Sequence, residues 1–147
     1  MRTTTRVAAI AATALLALTG CSSDDGGDTA GEGTDTAAAG VEFAGVEDGA
    51  TVSSPVSVEF ATTGGFEVIS AADGGGDGAG HMHVMIDVGC VAVGEEIPAD
   101  DSHVHFGDGS TSTELELETG EHTLCLQAGD GDHIAMDATD EITITVE

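Results

Sequence analysis

The sequence predicts an all-β fold, an antiparallel β-sandwich of about seven or eight short strands over residues 41–147. Three observations predict it. Apolar and polar residues alternate with a period of two in run after run, as they do in strands with one buried face. The runs recur about every eight to twelve residues, with Gly/Asp-rich turns between them. No stretch repeats its apolar residues at the spacing of a helix face.

Each element follows from its own residues. Val41-Glu42-Phe43 is a short strand, and Glu47-Asp48-Gly49-Ala50 is a turn. Val52, Val56, Val58 and Phe60 recur at even spacing, with Pro55 marking an edge or a bend. Phe66 to Ile69 is another short strand, and Asp73 to Gly80 is a loop. In the next run Val84 and Ile86 share one face, while His81, His83, Met85 and Asp87 share the other. Glu95 to Asp101, containing Pro98, is a loop. His103-Val104-His105-Phe106 alternates again, with Val104 and Phe106 on the core side, and Gly107 to Ser110 turns. Thr113 to Glu118 has leucines facing in and glutamates facing out. After a turn at Thr119-Gly120-Glu121, His122 to Gln127 is a strand with His122 in phase with its leucines. Gly129 to Asp132 is a loop, and Ile142 to Val146 closes the chain. Short strands of this kind on two sheets suit an immunoglobulin-like sandwich. With four Phe and no Trp or Tyr, the core rests on Val, Ile and Leu.

The first forty residues do not share this pattern. Arg2 and Arg6 precede the apolar run Val7 to Leu18, which is too short to span a bilayer comfortably. Leu18-Thr19-Gly20-Cys21 resembles the lipobox of bacterial lipoproteins. That resemblance implies a signal peptide over residues 1–20 and a lipid on the sulfur of Cys21. Apart from Cys21, residues 21–40 are Gly, Ser, Thr, Ala and acids, which cannot bury enough surface to order themselves, so they are expected to form a tether. The expected location is outside the cytoplasm, anchored to the cell membrane.

The formal net charge is −26, from 28 acids and two bases. Both bases lie in residues 1–20, so removing that segment takes the charge from −26 to −28. A surface without Lys or Arg excludes nucleic acid, whose phosphates need cations, and disfavours anionic substrates. It favours cations as partners, and it also suits a high-salt habitat where screening removes self-repulsion. No protein partner is legible. If Cys21 carries a lipid, Cys90 and Cys125 remain. In an oxidising compartment they are expected to form a disulfide closing 35 residues, which contributes about 2–4 kcal/mol. The alternative is a thiolate metal ligand.

All six histidines lie between positions 81 and 133. His81-Met82-His83 and His103-Val104-His105 each place two imidazoles on one strand face, and neighbouring strands bring such pairs together. Imidazole is the commonest protein ligand for transition metals. The expected ligands are therefore His81, His83, His103, His105, His122 and His133, for copper or zinc. Met82, Met85 and Met136 are soft ligands for Cu(I). Asp87, Asp130 and Asp132 are further ligands or orienting groups. The acidic surface is expected to make the histidines easier to protonate. Histidines bonded to backbone carbonyls at turns are the alternative, and His122 suits that role. Asp130-Gly131-Asp132 and Asp73 to Asp77 offer oxygens for Ca²⁺ without the spacing of an EF-hand.

From Val41 on, the chain resembles the family called domain of unknown function 4399, exported bacterial β-rich domains. The resemblance rests on Glu47 to Val56, Gly80 to Asp87, Ile97-Pro98, His105 to Thr111, Leu117 to Leu124, Gly129-Asp130 with His133, and Ile142 to Val146. It implies the fold and the boundaries, and it matches recurrent histidines at His81, His83, His105, His122 and His133. It implies no activity, and Cys90 and Cys125 depart from its pattern. His103 to Asp108 also resembles the His-Val-His stretch of copper–zinc superoxide dismutases. A dismutase steers superoxide with cationic groups, which this chain lacks outside its first twenty residues. No nucleophile elbow or triad is present, so no catalytic residue and no enzymatic activity are expected.

Overall fold

The alternation that marks strands in the sequence is carried into a ladder wherever both neighbours bury their apolar face. In the computed structural model, which describes residues 38–147, nine strands form. They are β1 (Gly40–Ala44), β2 (Thr51–Val52), β3 (Val56–Thr63), β4 (Glu67–Val68), β5 (Ala79–Ile86), β6 (His103–Phe106), β7 (Ser112–Leu115), β8 (Gly120–Gly129) and β9 (Ala135–Val146). One sheet has the order β1-β3-β7. The other has the order β2-β9-β8-β5-β4, with β6 also paired to β5. The signal peptide, Cys21 and residues 21–37 lie outside the described residues.

The two sheets close on one core. The smaller gives Val41, Val56, Val58, Phe60 and Leu115; the larger gives Met82, Val84, Leu124, Leu126, Ile142, Ile144 and Val146. Each fully buried Val or Leu contributes about 1.5–3 kcal/mol. Phe60 packs edge-on against Phe43 and Phe106, with ring centroids 6.3 and 5.1 Å away. As the alternation requires, Leu115 is buried between exposed Glu114 and Glu116.

Four details differ from the sequence reading. The run Val52 to Phe60 is two strands in different sheets, because the chain changes sheet at Pro55. Two pairings are parallel, β2 with β9 and β4 with β5, so the larger sheet is mixed. β9 begins at Ala135, seven residues before the clean Ile142 alternation, because β8 continues to Gly129 and offers it a ladder. The ladder of β7 stops at Leu115, although the alternation runs on to Glu118.

The larger sheet is buried on both faces around β5 and β8. On the inner face lie Met82, Val84, Leu124, Leu126 and Ala128. On the outer face lie His81, His83, Met85, Cys125 and Gln127, all at most 2 % exposed. What covers them is the segment 87–102, a strap without a strand of its own. Cys90 is joined to Cys125, as the cysteine count suggests. The buried Gln127 amide accepts from Val91 N–H (2.9 Å) and donates to Val91 O (2.9 Å) and Met136 O (3.2 Å). Further on, Gly94 N–H donates to Ala135 O, Ala135 N–H to Glu95 O, and Ile97 N–H to His133 O, at 2.8–2.9 Å. The strap thereby becomes a short third layer over one end of the sheet.

Candidate metal centre

The site is built where the strap, β5, β6 and the β8–β9 loop meet. Antiparallel pairing of β5 with β6 sets His83 directly opposite His105. His81 and His83 share one face because they are two residues apart. His133 arrives from the Asp130–His133 turn. There Asp130 Oδ1 accepts from Asp132 and Ile134 N–H, and Asp130 O accepts from His133 N–H, all at 2.9 Å. This turn holds His133 at φ +62°, a left-handed conformation uncommon for a residue with a side chain.

Four imidazoles converge. One ring nitrogen from each of His81, His83, His105 and His133 lies within 4.8 Å of the others. His81 and His83 meet Nε2 to Nε2 at 2.9 Å, and His105 and His133 at 3.2 Å. A tetrahedral zinc ion with Zn–N bonds of 2.0–2.1 Å needs nitrogens about 3.3 Å apart. The two close pairs are near that value, and the widest separation in the set, 4.8 Å, is about 1.5 Å beyond it.

Glycines make the room. At Gly107 a Cβ would stand 2.3 Å from His105 Cε1, and at Gly129 one would stand 3.1 Å from His83 Nε2. Neither glycine has a positive φ, so its role here is close approach. The close approach at these two glycines, and the part played by Gln127, escaped the sequence reading. A Gly directly after the β6 run and another shortly after the His122–Gln127 run were the available signals.

As hydrogen-bonding groups the buried pair is poorly served. The shared Nε2–Nε2 bond uses one hydrogen, so the accepting ring must carry its own hydrogen on Nδ1. Neither His81 Nδ1 nor His83 Nδ1 has a partner. A buried unsatisfied donor costs about 1–3 kcal/mol. Burial holds both rings neutral: His81 is lowered to about 4, by desolvation and then by His105 and His133. His83 is lowered to about 3, by desolvation and then by His81, His105 and His133. His105 is also lowered, chiefly by desolvation. This corrects the expectation of easier protonation. The acidic surface is in water, whereas these rings are out of it and beside one another.

Two expected ligands stand apart from the four. His122 is engaged at both nitrogens, with Nδ1 2.8 Å from Asp87 Oδ2 and Nε2 2.9 Å from Glu118 O. Both partners are acceptors, so both nitrogens must donate and the ring is an imidazolium. Its pKa is raised accordingly, first by Glu118 O and then by Asp87. Both nitrogens of this ring are thus engaged away from the cluster, one of them on a backbone carbonyl. His103 lies two residue pairs along the ladder from His83 and His105, opposite Met85, and its Nδ1 is 2.7 Å from Asp100 Oδ1. Asp87 serves His122, and Asp130 Oδ1 caps its own turn. Met82 is in the inner core, and Met85 is packed beneath the strap.

A cleft of about 310 Å³ leads to the cluster, lined by His83, His103, His105, His133 and strap residues 97–100. His105 is exposed and His133 half-buried, so the four-imidazole set is reachable from water. No helix among the described residues is long and apolar enough to cross a membrane.

No curated protein and no solved structure matches this chain. One family does, and its matched range takes in all four converging histidines, beginning after the Glu47–Val56 segment of the resemblance. The chain belongs to the family described as Domain of unknown function (DUF4399), whose sequence model matches residues 58–147.

Proposed function

We propose that this protein is a cell-envelope lipoprotein that binds one transition-metal ion, copper or zinc, through His81, His83, His105 and His133. Its role is to hold the ion or pass it on. The observation that carries the reading is the convergence of four imidazole nitrogens within 4.8 Å. The hydrogen bonds of this set run from ring to ring and leave two buried nitrogens without partners, which is a poor arrangement for structure alone. Contrast His122, whose nitrogens are both satisfied. Nitrogen donors without thiolate or thioether suit Zn²⁺ and Cu²⁺ better than Cu(I).

The reading is of a binding domain rather than an enzyme. Catalytic zinc sites keep three protein ligands and one open position, whereas four imidazoles fill a tetrahedral ion. The Cys90–Cys125 disulfide supports an oxidising, extracytoplasmic compartment. The lipid on Cys21 is part of the proposal and rests on the lipobox resemblance.

The test is stoichiometry. The protein is stripped with chelator, loaded separately with Cu²⁺ and with Zn²⁺, dialysed and analysed for metal, beside a His81→Ala/His83→Ala variant. About one ion per chain, lost in the variant, is the expected result. No retained ion in the parent would leave a sandwich with internally bonded histidines, a structural or protein-interaction module.

A further inference from the structure

We infer that His103, held by Asp100, is a relay ligand through which the ion enters and leaves the four-imidazole centre. This rests on the metal reading above and assigns the exchange path of that same centre.

Four observations carry it. His103 lines the cleft together with three of the four centre residues, His83, His105 and His133, while His81 lies behind them, fully buried. The strap forms the rest of the wall with Ile97, Pro98, Ala99 and Asp100; the first three side chains offer an ion nothing to bind, and the Asp100 carboxylate is engaged by His103. His103 is thus the cleft's remaining imidazole. Second, His103 and His105 are two residues apart on β6 and share a face, about 6.6 Å along the strand. An ion crosses that gap in one step between imidazoles.

Third, the His103 ring is set up as a ligand. Its Nδ1 is 2.7 Å from Asp100 Oδ1, and a carboxylate only accepts, so the hydrogen of a neutral ring sits on Nδ1 and Nε2 keeps its lone pair. A carboxylate behind a histidine in this way is the usual support of a metal-bound imidazole. Fourth, the pair spans the boundary with water: the His103 side chain is 10 % exposed and that of Asp100 56 %. Asp100 is itself fixed, since Oδ1 also accepts from Ser102 N–H at 2.9 Å.

A relay ligand has a kinetic signature. It is not bound to the ion in the resting state, so it changes the rates of capture and release by the same factor and leaves the equilibrium alone. The experiment is stopped-flow Zn²⁺ uptake by the metal-free protein, and Zn²⁺ release to a chromogenic chelator, for the parent, His103→Ala, Asp100→Leu and Asp100→Asn. The expected result is that His103→Ala and Asp100→Leu slow both rates about tenfold with Kd unchanged. Asp100→Asn, which keeps an acceptor oxygen for Nδ1–H, stays near the parent. The Asp100 variants alter an exposed side chain, so they serve even if His103→Ala folds poorly. Unchanged rates in Asp100→Leu and His103→Ala would overturn the relay. So would a weakened Kd with faster release, which would make His103 a resting ligand. A parent protein that takes up no Zn²⁺ would overturn the metal reading, and the relay with it.

Discussion

Gly107→Ala tests the site without removing a ligand. The new Cβ would stand 2.3 Å from His105 Cε1 and 2.6 Å from His105 Nε2. Carbon atoms in ordinary contact are about 3.5 Å apart or more, so the ring must retreat by about 1.2 Å. Metal–nitrogen distances tolerate roughly 0.2 Å. The displacement is several times that tolerance, so His105 leaves the coordination sphere and three imidazoles remain. Loss of an orienting group behind a ligand costs about 10- to 100-fold in affinity; displacement of a ligand itself is expected to reach at least the upper end, about 2.7 kcal/mol. The fold should survive, because the φ of Gly107 is not positive and the exposed His105 ring has somewhere to go. Competitive titration with a chelator of known affinity reads Kd, and chemical denaturation of the metal-free protein reads stability. Unchanged Zn²⁺ affinity in a folded Gly107→Ala protein would mean that His105 is not a ligand.

Other outcomes follow from the same geometry. His81→Leu/His83→Leu removes two buried rings that bond each other and whose Nδ1 atoms have no partner, so the metal-free protein should keep its stability or gain about 1 kcal/mol while losing the metal; a loss of several kcal/mol on denaturation would argue for structural histidines. Metal-free stability should fall as pH drops from 6.5 toward 4. There the unfolded chain takes up protons that His81 and His83, held at about 4 and about 3, do not, at up to about 1.4 kcal/mol per pH unit for each. His122 has the opposite sign. Its pKa is raised, so its contribution is complete below 6.5 and is lost as pH rises through the raised value. Urea midpoints measured across this range should therefore peak near neutrality, and a stability that keeps rising as pH falls below 6 would contradict the lowered pKa values of His81 and His83. His122→Gln should cost about 1 kcal/mol, because the link from Asp87 to Glu118 is largely at the surface, and should leave the ion count unchanged.

Much of this arrangement was legible in the sequence, and the reasons for the remainder are local. The two His-X-His runs announced a shared face, and the pairing of β5 with β6 put His83 against His105 as neighbouring strands require. Period two could not say where along β6 the cluster ends. It treated His103 and His105 alike, although His103 falls two residue pairs along the ladder from the His83–His105 pair. Nor could it foresee that His122 meets two acceptors, since Asp87 and Glu118 come to it from a tight bend and from the preceding turn. The strap was hidden for a different reason. Residues 87–102 have no periodicity, and their place is set by single ties to Cys125, Gln127 and residues 133–135. A buried Gln in the apolar β8 run was the one sequence sign of a polar tie on that face. The parallel pairings involve strands of two residues, which carry too little pattern to be placed.

X-ray absorption at the zinc edge of the Zn²⁺-loaded protein reads the four-imidazole centre most directly. Four nitrogen neighbours at about 2.0–2.1 Å, with the outer-shell scattering of imidazole rings, are expected. A shell with sulfur, or one of oxygens with fewer than three imidazoles, would contradict binding by these four histidines.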